Sequence, residues 1–219
     1  MKDSHPYAFI SYQTNDKSIA GKIKKFLSRI EIISFLAHED INVSDEWRDR
    51  ILEEIEKADI FVCLLSDAYY QSPWCVQESG IAAYRDITII PLTIDNSIPR
   101  GFIRHIQSTK VNEFSMYFGL IHGLLKYDND VGLEGIIQLI TWSNSYRGAE
   151  AAFEMFRPYI SQLNDSQAVK LLQASVKNSQ IHGASLCAKE LLPPLLESYG
   201  HLLDKGDLDF LKSKCAIYR

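Results

Sequence analysis

A chain of 219 residues, 46% of them apolar and 23% charged, has ordinary globular composition, which excludes disordered, collagen-like and low-complexity classes. On folding, a chain of this length buries roughly 70% of its unfolded surface, enough for one large domain or two small ones. The net charge of -5 divides as 14 basic and 17 acidic side chains over residues 1–127 and 9 and 11 over 128–219, so no basic field exists to hold nucleic acid or an anionic membrane.

Tyr7–Tyr12 is a short aromatic and β-branched run and reads as a buried strand. From Asp16 the apolar residues Ile19, Ile23, Phe26, Leu27 and Ile30 recur at helical spacing with lysines between them. Ile32–Ala37 reads as a second strand, and the polar stretch His38–Asp45 leads to a helix with Trp47, Ile51, Ile55 and Ala58 on one face, capped by Ser44 or Asp45. Ile60–Leu65 is apolar throughout, as a central parallel strand should be. Ser66–Ser72 reads as a loop, and Pro73 fits the first turn of a helix running to about Tyr84. Ile87–Ile94 is a fourth strand whose Pro91 is tolerable only near an edge or bulge, and Thr109–Asn112 a weaker fifth. Alternation of strand and helix argues an α/β fold, a parallel sheet covered by helices on both faces.

Beyond Tyr127 the pattern becomes all-helical, so the expected domains are 1–127 and 128–219. Short apolar-periodic segments at 133–142, 149–160, 167–176, 182–192, 195–203 and 208–212 are separated by Asn164-Asp-Ser, Pro193-Pro194 and Lys205-Gly-Asp207. They predict a small bundle or helical hairpins; no clean period marks a solenoid. Helices this short are marginal alone, so a compact unit docked on the first domain is the expectation.

Cys63, Cys75, Cys187 and Cys215 form no C-x-x-C pair, so neither a zinc site nor a disulfide framework is expected. The opening residues carry no signal-like apolar stretch, and no apolar run approaches the roughly 20 residues that span a bilayer. The expected setting is the cytoplasm.

In an open α/β sheet, ligands bind beyond the carboxyl ends of the strands, where strand order reverses. With flavodoxin-like order 2-1-3-4-5 that point lies between strands 1 and 3, where the chain offers Ser11-Tyr12, Ser66-Asp67 and the helix carrying Trp74 and Glu78. These two share a helix face, one turn apart. A carboxylate beside a large aromatic suits a substrate with a flat ring and a sugar that develops positive charge. Bland readings stand beside this one. Glu78 also fits a surface carboxylate, Trp74 core filler, Trp47 a packing residue and Phe114–Phe118 core or interface; Cys75 lacks the basic partner a nucleophile needs.

Phe9-Ile-Ser-Tyr12, Phe35–Ile41 and Ser66–Glu78 together resemble a TIR (Toll/interleukin-1 receptor) domain of the bacterial type, over roughly residues 6 to 127. The resemblance implies an enzyme that cleaves NAD, as substrate and without a cofactor, at the nicotinamide–ribose bond, with Glu78 catalytic and Phe9, Ser11, Tyr12, Trp47 and Trp74 at the substrate. It further implies that His38–Asp45 is the loop bridging neighbouring TIR domains, with Trp47 able to complete a composite site. Products would be ADP-ribose or a cyclic or conjugated ADP-ribose signal read by a downstream effector, as in Thoeris anti-phage defence. One position departs from the family pattern: Gln13 stands where several enzymatic relatives have a basic residue, with Lys17 the nearest substitute. A non-catalytic TIR–TIR scaffold and a nucleoside deoxyribosyltransferase-like enzyme are the alternative functions.

Overall fold

The computed structural model describes residues 5–37, 47–112 and 115–217. The loop His38–Asp45, its cap at Ser44 or Asp45, and Phe114 lie outside these. The chain divides into two compact units, Met1–Asp128 and Asn129–Arg219.

The first unit is built on five parallel strands, β1 (Tyr7–Ser11), β2 (Ile33–Leu36), β3 (Ile60–Leu65), β4 (Thr88–Thr93) and β5 (Thr109–Lys110), in the order β2-β1-β3-β4-β5. Central β3 is buried at all six residues and pairs with β1 from Ala8↔Ile60 to Ser11↔Cys63. Pro91 lies inside β4, opposite Cys63. The Ile94 N–H bonds the Leu65 carbonyl while the Thr93 carbonyl accepts from Val111, so odd-numbered residues of β4 turn their backbone toward β5. The ladder with β5 begins only at Leu92, and the missing Pro91 N–H leaves no bond unmade.

Side chains alternate across a strand. Odd residues of β1 and β3 (Phe9, Phe61, Cys63 and Leu65) enter one hydrophobic cluster with Phe35, Ile51, Ile55, Tyr69, Cys75 and Ala82. That face is covered by α2 (Trp47–Lys57), α3 (Asp67–Gln71) and α4 (Pro73–Tyr84). Helices α1 (Lys17–Arg29) and α5 (Ser115–Tyr127) lie together, with the Phe26 and Tyr117 rings 5.1 Å apart, and α5 packs on β4 and β5. Gly119 and Gly123 bring it close, since a Cβ there would collide with Thr109 and Ile90 respectively. Neither α5 nor α3 was expected; the segment read as a loop at 66–72 holds a helical turn, capped by the Ser66 hydroxyl accepting the Tyr69 N–H.

The second unit is helical: α6 (Asn129–Thr141), α7 (Tyr146–Phe156), α8 (Asp165–Lys177), α9 (Ser179–His182), α10 (Leu192–Tyr199) and α11 (Lys205–Ile217). Leu133, Ile136, Ile140, Phe153, Phe156, Leu171, Leu172 and Leu195 are buried. Asn164 and Gln167 close α8 with a reciprocal capping box. The Asn178 amide donates to the Thr141 and Ser143 carbonyls while its oxygen caps α9, tying two helix ends together. The break expected at Pro193-Pro194 is absent. The helix passes through both prolines because a wide π turn over Cys187–Leu191 precedes them, with the Leu192 N–H reaching the Cys187 carbonyl. All four cysteines are buried free thiols. Among the described residues no helix is long and apolar enough to cross a membrane, and no cluster of three or more His, Cys, Asp or Glu is placed to hold a metal.

Candidate functional site

β1 and β3 end side by side where the strand order reverses. Beyond β3 two serines redirect the chain: Ser66 caps α3, and Ser72 caps α4 through the Cys75 N–H, with Pro73 as the first helical residue. These turns set Tyr69 and Glu78 over the last residue of β1. Ser11, odd-numbered and fully buried, points the same way.

Glu78 is 2% exposed. Its Oε2 accepts the Ser11 hydroxyl at 2.5 Å, and its Oε1, equally buried, has no hydrogen-bond partner among the described residues. Ser11 Oγ also lies 3.0 Å from the Tyr69 hydroxyl, which donates to the Cys75 carbonyl at 3.0 Å. The Cys75 thiol donates to the Tyr12 carbonyl at 3.6 Å. Burial, with no cation beside it among the described residues, pushes the Glu78 carboxyl up to about 7, against a smaller downward pull from Ser11. At neutral pH the carboxyl therefore divides between its two protonation states. Burial also pushes the Cys75 thiol up to about 11, which removes it as a nucleophile.

Of the residues expected at the site, the fold joins Ser11 directly to Glu78. Trp74 stands one turn before Glu78 on α4 but is 42% exposed, so it is not core filler. Trp47 opens α2, also with its ring partly in solvent. The Phe9 ring does not line an open site: it is fully buried, stacked 5.5 Å from Phe61 and tilted against Phe35 at 5.4 Å. Tyr12 is likewise fully buried. Gln13, at the departure from the family pattern, uses its side chain to accept the Asn15 N–H and cap the turn at Thr14–Asp16.

Sequence reading missed Tyr69. Its signal was faint: an aromatic pair, Tyr69-Tyr70, inside a segment bounded by two serines able to cap helices. It also missed the acidic rim at the strand ends, where Ser66 donates to Asp16 at 3.4 Å and Asp95 accepts the Asp67 N–H at 2.9 Å. A cavity of about 350 Å³ opens at the far end of α4, lined by Ala83, Tyr84, Ile87, Ile89, Phe102 and Ile106 among others. Neither Glu78 nor Ser11 borders it.

A family model described as the TIR domain matches residues 8–117. Among solved structures, the TIR domain of the Toll-related receptor TRR-2 from the lower metazoan Hydra magnipapillata is similar at 17% identity and a TM-score of 0.47, covering 57% of this chain and 96% of that one. No curated protein matches.

Proposed function

The chain belongs to the TIR domain family, and on that premise we propose that it is an NAD-consuming enzyme that cleaves the nicotinamide–ribose bond at Glu78. The observation that carries this reading is the carboxyl itself: buried at the switch point of the sheet and, among the described residues, unpaired with any cation and with one oxygen lacking a partner. A carboxyl whose proton affinity is raised toward neutrality by burial at a strand-order switch point is a candidate for catalysis. As nicotinamide departs with the electron pair of the C–N bond, the ribose becomes oxocarbenium-like, and the Glu78 anion stabilises it while holding ribose hydroxyls. Attack at the anomeric carbon by water gives ADP-ribose, attack by a nucleophile of the same NAD molecule gives a cyclic product, and attack by a nucleophile of a second molecule gives a conjugated one. A water or hydroxyl nucleophile loses its proton as the new bond forms. Exposed Trp74 offers the flat surface on which a ring can stack.

Assembly belongs to the same proposal. Self-association through TIR–TIR contacts brings the 38–45 loop and Trp47 of one copy to the site of another, so specific activity rises with protein concentration. A signalling product read by a separate effector, in cytoplasmic anti-phage defence, is the setting proposed. One observation favours the scaffold alternative: Glu78 is closed from solvent in this conformation, and a module that only recruits other TIR domains has no need to open it. Incubation of the pure protein with NAD over a wide concentration range, with chromatography of the products, decides between them. Nicotinamide release that grows more than linearly with protein supports the enzyme; none at any concentration, including under crowding, supports the scaffold.

A further inference from the structure

A chain of oxygens runs from Glu78 into the start of α4: Glu78 Oε2 to Ser11 Oγ at 2.5 Å, Ser11 Oγ to the Tyr69 hydroxyl at 3.0 Å, and that hydroxyl to the Cys75 carbonyl at 3.0 Å. Ser11 and Tyr69 are fully buried, so no solvent supplies a missing partner. Each hydroxyl has one proton to give. With Glu78 ionised, Ser11 donates to Oε2 and Tyr69 donates to Ser11 or to the Cys75 carbonyl. With Glu78 protonated on Oε2, that proton goes to Ser11 Oγ, the Ser11 proton turns to Tyr69, and Tyr69 keeps its bond to the Cys75 carbonyl. A proton on Oε1 would instead face no acceptor among the described residues. In both states every buried donor in the chain has an acceptor.

We propose that Tyr69 is a positioning residue for Glu78, acting through Ser11: the reversible chain of hydroxyls lets the buried carboxyl hold or release a proton without orphaning a donor. Its bearing on catalysis rests on the reading of Glu78 as the reacting carboxylate; its geometry does not. The other titratable groups around α4 do not take over this role. Burial holds the Tyr69 phenol and the Cys63 thiol of β3 well above their ordinary ranges, and the Cys75 thiol is pushed up to about 11, so all three stay neutral while Glu78 titrates. Beyond β1, Tyr12 is present through its carbonyl, which takes the Cys75 thiol, and Asp16 accepts from Ser66. The buried carboxylate of α2, Glu54, is engaged by Tyr7, Arg50 and Lys57, and Arg100, before the turn at Gly101–Ile103, lies over the Tyr70 ring near Asp67. The Cys75 sulfur, itself donating to Tyr12, is too weak an acceptor to replace a phenol oxygen.

The test follows the Glu78 carboxyl directly, by ¹³C NMR of the full chain against pH, without NAD. In Tyr69→Phe, protonated Glu78 strands the Ser11 O–H while ionised Glu78 keeps its donor, so the midpoint falls by about one pH unit. Ser11→Ala removes the donor to the anion and raises the midpoint. In the Ser11→Ala background, Tyr69→Phe leaves the midpoint unmoved. An equal downward shift in both backgrounds would mean that the substitution merely loosens and hydrates the core, and overturns the proposal, as does no shift in either. A check needing no variant is the Tyr69 Cζ resonance of the unaltered protein. It should titrate with the Glu78 midpoint, because the Tyr69 oxygen accepts the Ser11 proton only while Glu78 is protonated; a flat response overturns the proposal. A chain that titrates as described yet cleaves no NAD keeps the relay and loses the enzymatic reading, and cleavage with a flat titration does the reverse.

Discussion

Beside Tyr7, at the amino end of β1, Glu54 is buried but fully partnered: Tyr7 donates to one oxygen, while Arg50 at 3.0 Å and Lys57 at 2.8 Å hold the other. Beyond Ser11, at the carboxyl end of the same strand, Glu78 exposes as little surface, lies deeper in the protein and meets one neutral hydroxyl among the described residues. Burial raises the proton affinity of both carboxyls. At Glu54 the bonds from Lys57 and Tyr7 and the charges of Arg50 and Lys57 reverse the effect and leave it lowered; at Glu78 burial wins and holds the group at about 7. The fold thus has the means to stabilise a buried carboxylate one strand-length away and does not use them at the switch point. That shortage of partners on a well-satisfied framework is what supports the role proposed for Glu78.

The two ends should respond to pH with opposite slopes. The folded-state value of Glu78 lies above its unfolded value of 4.5, so its neutral form supports the fold below 4.5 and that support is lost as pH rises toward about 7. The loss is on the order of 3 kcal/mol for a shift of this size. Urea unfolding from pH 4.5 to 8 should show this decline in wild type and not in Glu78→Gln. A parallel decline in both proteins would break the contrast. Glu54, lowered in the fold, acts the other way: its contribution is present above 4.5 and lost as pH falls through its folded value.

A smaller effect is expected from Glu54→Gln, which leaves Arg50 and Lys57 without their shared anion. Because both cations are about half exposed, the destabilisation at pH 7 should be about 1–3 kcal/mol in denaturant unfolding. Smaller still, Tyr7→Phe removes one donor to Glu54 and should cost about 1 kcal/mol. If either variant slowed NAD cleavage at protein-saturating conditions, the division of roles between the two ends of β1 would fail.

Much of this framework was legible in the sequence because its signals are local. Ile60–Leu65 has no polar residue and became the central strand; Pro73 after Ser72 marked the start of α4 and set Glu78 on its second turn. What escaped is contact between distant segments and structure without periodicity. Tyr69 meets Ser11 across 58 residues, and five residues of α3 are too few to show a helical repeat. The apolar run at 116–121 of α5 hid its face, and packing explains Gly119 and Gly123. Glycine, the usual mark of a helix end, is missing where α1 and α4 stop: Glu31 and Asp86 take the left-handed conformation, and the N–H groups of Ile32 and Ile87 reach back to Leu27 and Ala82. Pro193-Pro194 misled in the other direction, since a π turn carries the helix through them.

The central claim is that Glu78, and not the partnered Glu54, acts on NAD. Nicotinamide release by wild type, Glu78→Gln and Glu54→Gln, measured from pH 5 to 9 at a protein concentration that supports self-association, tests it most directly. The wild-type rate should rise through about pH 7 as Glu78 ionises, the Glu54→Gln profile should follow it, and the Glu78→Gln rate should be lower by about a thousandfold or more, on the order of 4 kcal/mol of barrier. Release by folded Glu78→Gln at the wild-type rate, or no release by wild type at any pH, would contradict it.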